Sequence, residues 1–405
     1  MQKRIRIVSI GIILIILLIS VIILNNNTNN KNTFKKDGIL YALSLDEKSI
    51  TSFPSKGLYK VNVSCEGADG KWLYDDWKLA IENITDNISC DINFETITKT
   101  YFNDYIIGLV NTTQGTGQVV NENGYRYEGK NPNNYVWFNN EYWRIIGVFD
   151  SNSHGQSGKN LVKIIRADVL DGLAWDKSNT NDWTVASLNL LLNGAYYNAQ
   201  DGTSSGYCYG YSTSVTANCD YTKKGIQSGY RSMIANVTWY LGGYLSGYYD
   251  ESATTEAFYG YERGTTVVSG RPTTTTGYIG LMYPSDYGYS VLSSRCARTT
   301  NLDSYSSGAC AGQSWLYGKG YELTLTPSSS ISNDVFSLLE NGIASGNYAR
   351  NGYGARPVLY LDASVYKIDG EGTLDKPYII GMWKTKDKRI WREHPPHAAD
   401  IKVEC

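Results

Sequence analysis

Six of the seven cysteines fall in three close pairs, Cys65 with Cys90, Cys208 with Cys219, and Cys296 with Cys310. Such pairs point to small or loop-rich units stapled in an oxidising compartment. Spacing alone does not fix connectivity, and local pairing is the simplest choice. For the first pair the strand pattern adds an argument. Over Tyr59–Cys65, Tyr59, Val61, Val63 and Cys65 share one face; over Ile88–Phe94, Ile88, Cys90, Ile92 and Phe94 share another. Both thiols then point inward from two strands of one sheet, as an inter-strand disulfide requires. Zinc is the rival reading. It is disfavoured because no spacing is CxxC and His154 is the only histidine between residues 38 and 380.

The compartment follows from the other end of the chain. Lys3, Arg4 and Arg6 precede an apolar run, Ile7 to Leu24, broken only by Ser9, Gly11 and Ser20. At about 1.5 Å per residue the run covers about 27 Å, enough for a bilayer crossing. The cationic flank places the N-terminus inside and the body outside. A cleaved signal peptide is the alternative, but the run is long for one and no small-x-small cleavage site follows. The expectation is an N-terminal transmembrane helix over residues 1–24, a polar tether over 25–37, and a single-pass cell-membrane protein whose body is extracellular.

A chain of 405 residues has room for two or three domains, and 42 % hydrophobic content is ordinary for a globular protein. The net charge of −2, without a basic stripe, argues against nucleic-acid binding. The 34 Tyr and 10 Trp, set among Asn, Ser, Thr and Gly, fit exported β-rich domains. Codon bias in an AT-rich genome would enrich Tyr and Asn as well.

Alternating strands make residues 38–97 a small all-β, Ig-like domain, with a third strand through Trp77, Leu79 and Ile81. Residues 98–123 read as a connector and 124–380 as the main α+β domain. That domain opens with a meander, Tyr135–Phe138, Tyr142–Phe149 and Leu161–Ala167. Two helices are expected next. One uses Val185, Leu188, Leu191 and Leu192, stopped by Asn193–Gly194; the other uses Met233, Val237, Tyr240 and Leu241. Strands are expected at Tyr278–Tyr283, Gly320–Leu325 and Ala355–Leu361. Val335–Leu339 is read as a hairpin strand rather than a short helix, because Asn341–Gly342 suits a type I′ turn. Residues 381–405, with Pro395–Pro396, clustered Lys and Arg and the unpaired Cys405, read as a disordered tail.

Several phrases occur in a characteristic order: GYRYEGKNPNNY (Gly124–Tyr135), WRIIGVF (Trp143–Phe149), WYLGG (Trp239–Gly243), YIGLMYPSDY (Tyr278–Tyr287), WLYGKGYELTL (Trp315–Leu325), YGARPVLYL (Tyr353–Leu361) and GEGTLDKPYI (Gly370–Ile379). Together they resemble an uncharacterised family of exported surface domains of low-GC bacteria, distantly similar to the C-type-lectin-like and formylglycine-generating-enzyme-like folds. The resemblance implies a C-type-lectin-like main domain of antiparallel strands, two helices and long loops. It also implies a surface location and a binding role.

Catalytic signals are weak. A Ser or Cys nucleophile needs a base, and His154 reads as a solvated loop residue. No P-loop, EF-hand loop or strand-borne GxGxxG is present, and Gly206–Gly210 is an aromatic-laced loop rather than a phosphate cradle. Cys296 and Cys310 lie in a region roughly comparable to that of the reactive pair of formylglycine-generating enzymes, but read as a loop disulfide because the surroundings of an active pair are lacking. The expectation is therefore a non-enzyme without cofactor; calcium is left open by the Asp and Asn loops, though no ligand spacing argues for it. Tyr283, Asp286, Tyr287, Trp315, Tyr317 and Glu322 are the candidate ligand-binding residues, offering aromatic faces and hydroxyl-binding groups to a surface glycan or protein ligand. Core packing is the competing reading, the stronger one for Trp315 and the more evenly matched for Asp286 and Tyr287. A structural surface-assembly module and a formylglycine-generating-type enzyme are the competing functions.

Overall fold

The computed structural model describes residues 33–382, except 37–38, 58, 75, 216–217, 246–252, 307 and 319. The expected membrane anchor, most of the tether and all but the first two residues of the expected tail lie outside the described residues. Among the described residues no helix is long and apolar enough to cross a membrane. The chain divides into two compact units that part between Thr98 and Lys99. Both are mostly β, with few and short helices.

In the small unit the two cysteine-bearing strands pair antiparallel, Tyr59–Glu66 against Ser89–Thr96, with Val61 opposite Phe94, Val63 opposite Ile92 and Cys65 opposite Cys90. The disulfide closes between the last two. Ile39–Leu45 adds to the other edge of Ser89–Thr96 in parallel. Thr33–Lys36, expected in the tether, is a strand antiparallel to Ile39–Leu45, because an open sheet edge offers its backbone partners. The third expected strand forms as Lys78–Glu82, paired with Asp69–Leu73. Trp77 stays outside it: its backbone is left-handed (φ 53°), and its indole N–H donates to the Pro54 carbonyl at 2.7 Å. The core is aromatic, with Trp72 edge-on to both Phe94 (5.1 Å) and Trp77 (5.2 Å). Gly70 is required where the hairpin crosses the disulfide, since a Cβ there would run into Cys65 Sγ.

The larger unit, Lys99–Met382, begins earlier than its expected start at residue 124. The supposed connector carries a helix, Phe102–Ile107, whose Phe102 and Ile106 are buried, and the strand Gly117–Asn121. Apolar side chains spaced four apart bury one helix face, a signal hidden here by the polar residues around it. The main sheet centres on Glu141–Phe149. One edge is shared by Tyr135–Phe138 and Tyr125–Gly129; the other pairs with Leu161–Arg166, which in turn pairs with Val358–Tyr360. Leu161–Arg166 is buried at every position, so it is covered on both faces. Thr100–Tyr101 pairs with Val365–Asp369, so the two ends of the unit meet in one sheet. A second sheet runs in the order Leu170–Ala174, Gly352–Ala355, Glu322–Pro327, Asp334–Leu338, Ala344–Tyr348.

Several local expectations change. The first helix is Ser187–Leu191, preceded by an exposed Val185, and it continues as a π turn, Leu192–Tyr196, through the expected stop. Asn193 there pins the neighbouring segment: its Oδ1 accepts the N–H groups of Tyr278 and Ile279, both at 3.0 Å. The second expected helix is a 3-10 turn, Arg231–Met233, then a strand, Val237–Tyr240, paired with Thr274–Gly277. Val237 and Trp239 are buried while Thr238 and Tyr240 are not, so period two wins over the helical spacing. Tyr278–Tyr283 forms only a single bridge, Gly280 with Val358; a Cβ at Gly280 would strike the Trp239 ring. Asp334–Leu338 is the hairpin strand expected, but its turn places only Gly342 in the left-handed region (φ 89°), which is not type I′. His154, expected in solvent, is fully buried at the end of Ser151–His154. Its Nε2 lies 3.0 Å from the Phe149 carbonyl, and Nδ1 accepts the Gln156 N–H.

Candidate functional site

Five of the six candidate ligand residues are interior. Asp286 and Tyr283 begin the helix Pro284–Ser290, where the Asp286 carboxylate caps the turn by accepting the Tyr283 N–H at 3.0 Å. The same carboxylate takes Arg126 Nη1 on Oδ1 at 3.0 Å and Lys163 Nζ on Oδ2 at 2.5 Å, with all three side chains at most 1 % exposed. Tyr287 donates to the Gly342 carbonyl at 2.7 Å, and the Trp315 indole N–H donates to the Tyr127 carbonyl at 2.8 Å. Glu322 holds Arg356 in a two-pronged pair at 2.6 and 2.8 Å. These side chains are buried and tied to partners within the interior. Tyr317 alone is partly exposed; its hydroxyl donates to the Glu340 carbonyl at 2.5 Å.

The interior charges explain one another's titration. Burial pushes the Asp286 carboxyl up, but Lys163 and Arg126 outweigh it and hold it down at about 2. Burial pushes Lys163 down to about 8, because one carboxylate is set against the repulsion of Arg263 and Arg126. Glu262, fully buried, accepts the Ser285 N–H at 2.9 Å and the Ser285 hydroxyl, and burial carries it up to about 7 against the pull of Arg263.

A pH dependence follows. Glu262 binds its proton more tightly folded than unfolded, so its contribution to stability is full below the unfolded carboxylate range, about 4.3. It is lost as pH rises through about 7. His154, pushed down by burial, acts in the opposite sense. The comparison of wild type with Glu262→Gln isolates Glu262: the variant's urea midpoint, relative to wild type, is expected to rise steadily between pH 5 and pH 8. A constant difference across that range would refute the assignment.

The exposed chemistry lies beside Tyr317. An open depression of about 280 Å³ is lined by Tyr321, Leu339, Glu340 and Asn341. Tyr321 is 45 % exposed and stacks on Tyr353, ring centroids 4.9 Å apart with planes within 19°. The Tyr353 hydroxyl accepts from Asn351 Nδ2 at 3.1 Å and donates to Asn347 Oδ1 at 3.2 Å. Buried Glu322, next in sequence to Tyr321, fixes the strand, and the Tyr321 carbonyl accepts the Gly354 N–H at 3.0 Å, which fixes the pair. An exposed aromatic platform, a carboxylate and amide groups thus share one surface. Sequence reasoning missed Tyr321 and Tyr353 because Glu322–Pro327 is buried on both faces and shows no alternation to mark the exposed residue at its start.

Cys208–Cys219 and Cys296–Cys310 form the remaining disulfides, and all four sulfur-bearing residues are buried. Among the described residues no three His, Cys, Asp or Glu side chains converge as a metal ion would need. The loop carboxylates Asp176, Asp182 and Asp220 accept nearby backbone N–H groups instead. No family model, no curated protein and no solved structure matches the chain.

Proposed function

We infer that the chain is an exported surface-recognition protein, anchored through residues 7–24, whose larger unit binds saccharide at the Tyr321 depression. The carrying observation is the half-exposed Tyr321 ring, backed by Tyr353 and bordered by Glu340 and Asn341. A pyranose presents a C–H face to such a ring and hydroxyls to the carboxylate and amide, the mixed polar and aromatic surface that adaptable recognition sites use. Three disulfides support an oxidising compartment. The meeting of both ends of the larger unit in one sheet and its long loops support the lectin-like reading. The small unit then acts as an Ig-like spacer.

The test is binding of the oxidised protein to a panel of glycans, mucins and cell-wall fragments, with and without calcium. A selective, saturable hit is expected. Tyr321→Ala is expected to weaken it about tenfold, equivalent to about 1.4 kcal/mol, without lowering thermal stability. A flat panel from folded protein, or an unaltered affinity in the variant, would remove the saccharide site.

A further inference from the structure

Lys163 occupies a place that an ammonium ion tolerates badly. It sits on Leu161–Arg166, buried at every position, and its side chain is 1 % exposed. Among the described residues its Nζ has one hydrogen-bond acceptor, Asp286 Oδ2. Four rings stand around it as well: Tyr283 at 4.5 Å, Phe149 and Tyr360 at 5.7 Å, and Trp239 at 5.8 Å from Nζ to the centroids. An ammonium has three protons to place, and among the described residues one of them meets an oxygen, Asp286 Oδ2.

The carboxyl group is held as an electrophile would be. Arg126 Nη1 donates to Oδ1 at 3.0 Å, on the oxygen that Lys163 does not touch. The Tyr283 N–H donates to Oδ2, so the group cannot rotate. Arg126 is itself clamped between the rings of Phe149 (4.5 Å) and Tyr289 (4.4 Å). Three cations, Arg126, Lys163 and Arg263, share this interior with two carboxylates, Asp286 and Glu262. Lys163 is the one cation of the three that can give up its proton, since the guanidinium groups stay charged.

We propose that Lys163 and Asp286 are joined by an intramolecular amide bond. Proton transfer from Nζ to Oδ2 turns the ion pair into an amine and a carboxylic acid. The Nζ lone pair attacks Cγ, and the Nζ–Cγ bond forms while negative charge gathers on Oδ1 against Arg126. One of the two remaining amine protons moves to the Oδ2 hydroxyl, the Cγ–Oδ2 bond breaks, and water leaves. The product keeps one N–H and a carbonyl at Oδ1 still facing Arg126. Amine plus acid gives amide plus water, and no oxidant, cofactor or second protein is needed. Fixed geometry, holding amine and acid in contact, supplies the rate. The bond would tie the strand Leu161–Arg166 to the helix Pro284–Ser290 across 123 residues of chain, in a link that reducing agents do not open.

Mass spectrometry of the full chain decides the matter. The protein is reduced, alkylated, denatured and digested, so that disulfides cannot contribute. The expected product is a branched species joining the Lys163 and Asp286 peptides, one water lighter than their sum and uncleaved by trypsin at Lys163. It is absent from Lys163→Met, which keeps the apolar stem and lacks the amine. Recovery of the two peptides from wild type only as separate species, or a water loss placed elsewhere, overturns the proposal. The wild-type map stands even if the variant fails to fold.

Discussion

Glu322→Ala is expected to destabilise the larger unit by about 3–5 kcal/mol, the usual result of stripping one partner from a buried ion pair. Both side chains are nearly inaccessible, at 4 % and 6 % exposure, and among the described residues the Arg356 guanidinium has no second carboxylate in its hydrogen bonds, only the Leu316 carbonyl at 2.7 Å. Removing Glu322 leaves a positive charge in an interior that cannot solvate it. Urea unfolding followed through the buried tryptophans measures the loss. The paired replacement Glu322→Leu with Arg356→Leu should recover most of it, since apolar groups of similar volume replace such a pair at little cost. A loss below about 1 kcal/mol for the single variant would mean that water reaches the pair, as at exposed salt bridges. The saccharide binding proposed at the neighbouring Tyr321 gives a second readout, because the Glu322–Arg356 pair holds the strands that carry the tyrosine stack.

The same residue shows where the sequence was legible and where it was not. The meander through Trp143 and the cysteine-bearing strands could be read because their periods are set by burial against a neighbouring sheet. The three disulfides could be read from close spacing. The second expected helix failed because Met233, Val237, Tyr240 and Leu241 satisfy a helical spacing while Val237 and Trp239 satisfy a strand. The Thr274–Gly277 partner that decides between them lies far along the chain. The ligand residues were misplaced for a related reason. Asp286 and Glu322 are the kind of polar groups that bind hydroxyls, but their cationic partners are 123 and 34 residues away. Only the fold reveals that the carboxylates are already spent on them. Tyr321 and Tyr353 have no such partners and lie beside the depression. Nothing in their local sequence separates them from the many buried tyrosines.

Opening the Cys65–Cys90 bridge with paired Cys→Ala replacements is expected to cost the small unit about 3 kcal/mol, the loop-closure value for a bridge of this span. The bridge separates 25 residues of chain and sits between directly opposed strand positions, so replacing it disturbs no register. What makes the loss consequential is the size of the core. It rests on a cluster of Phe53, Trp72, Trp77, Phe94 and a few aliphatic residues, and a unit this small has little stability to lose. Amide hydrogen exchange on the full chain separates this effect from any change elsewhere. Protection over Tyr59–Glu66 and Ser89–Thr96 should collapse towards that of an unfolded chain, while Glu141–Phe149 and Leu161–Arg166 keep theirs. Retained protection in the two cysteine-bearing strands would mean that the aromatic cluster alone sustains the unit. The bridge would then add stability to a unit that folds without it rather than be a condition of folding.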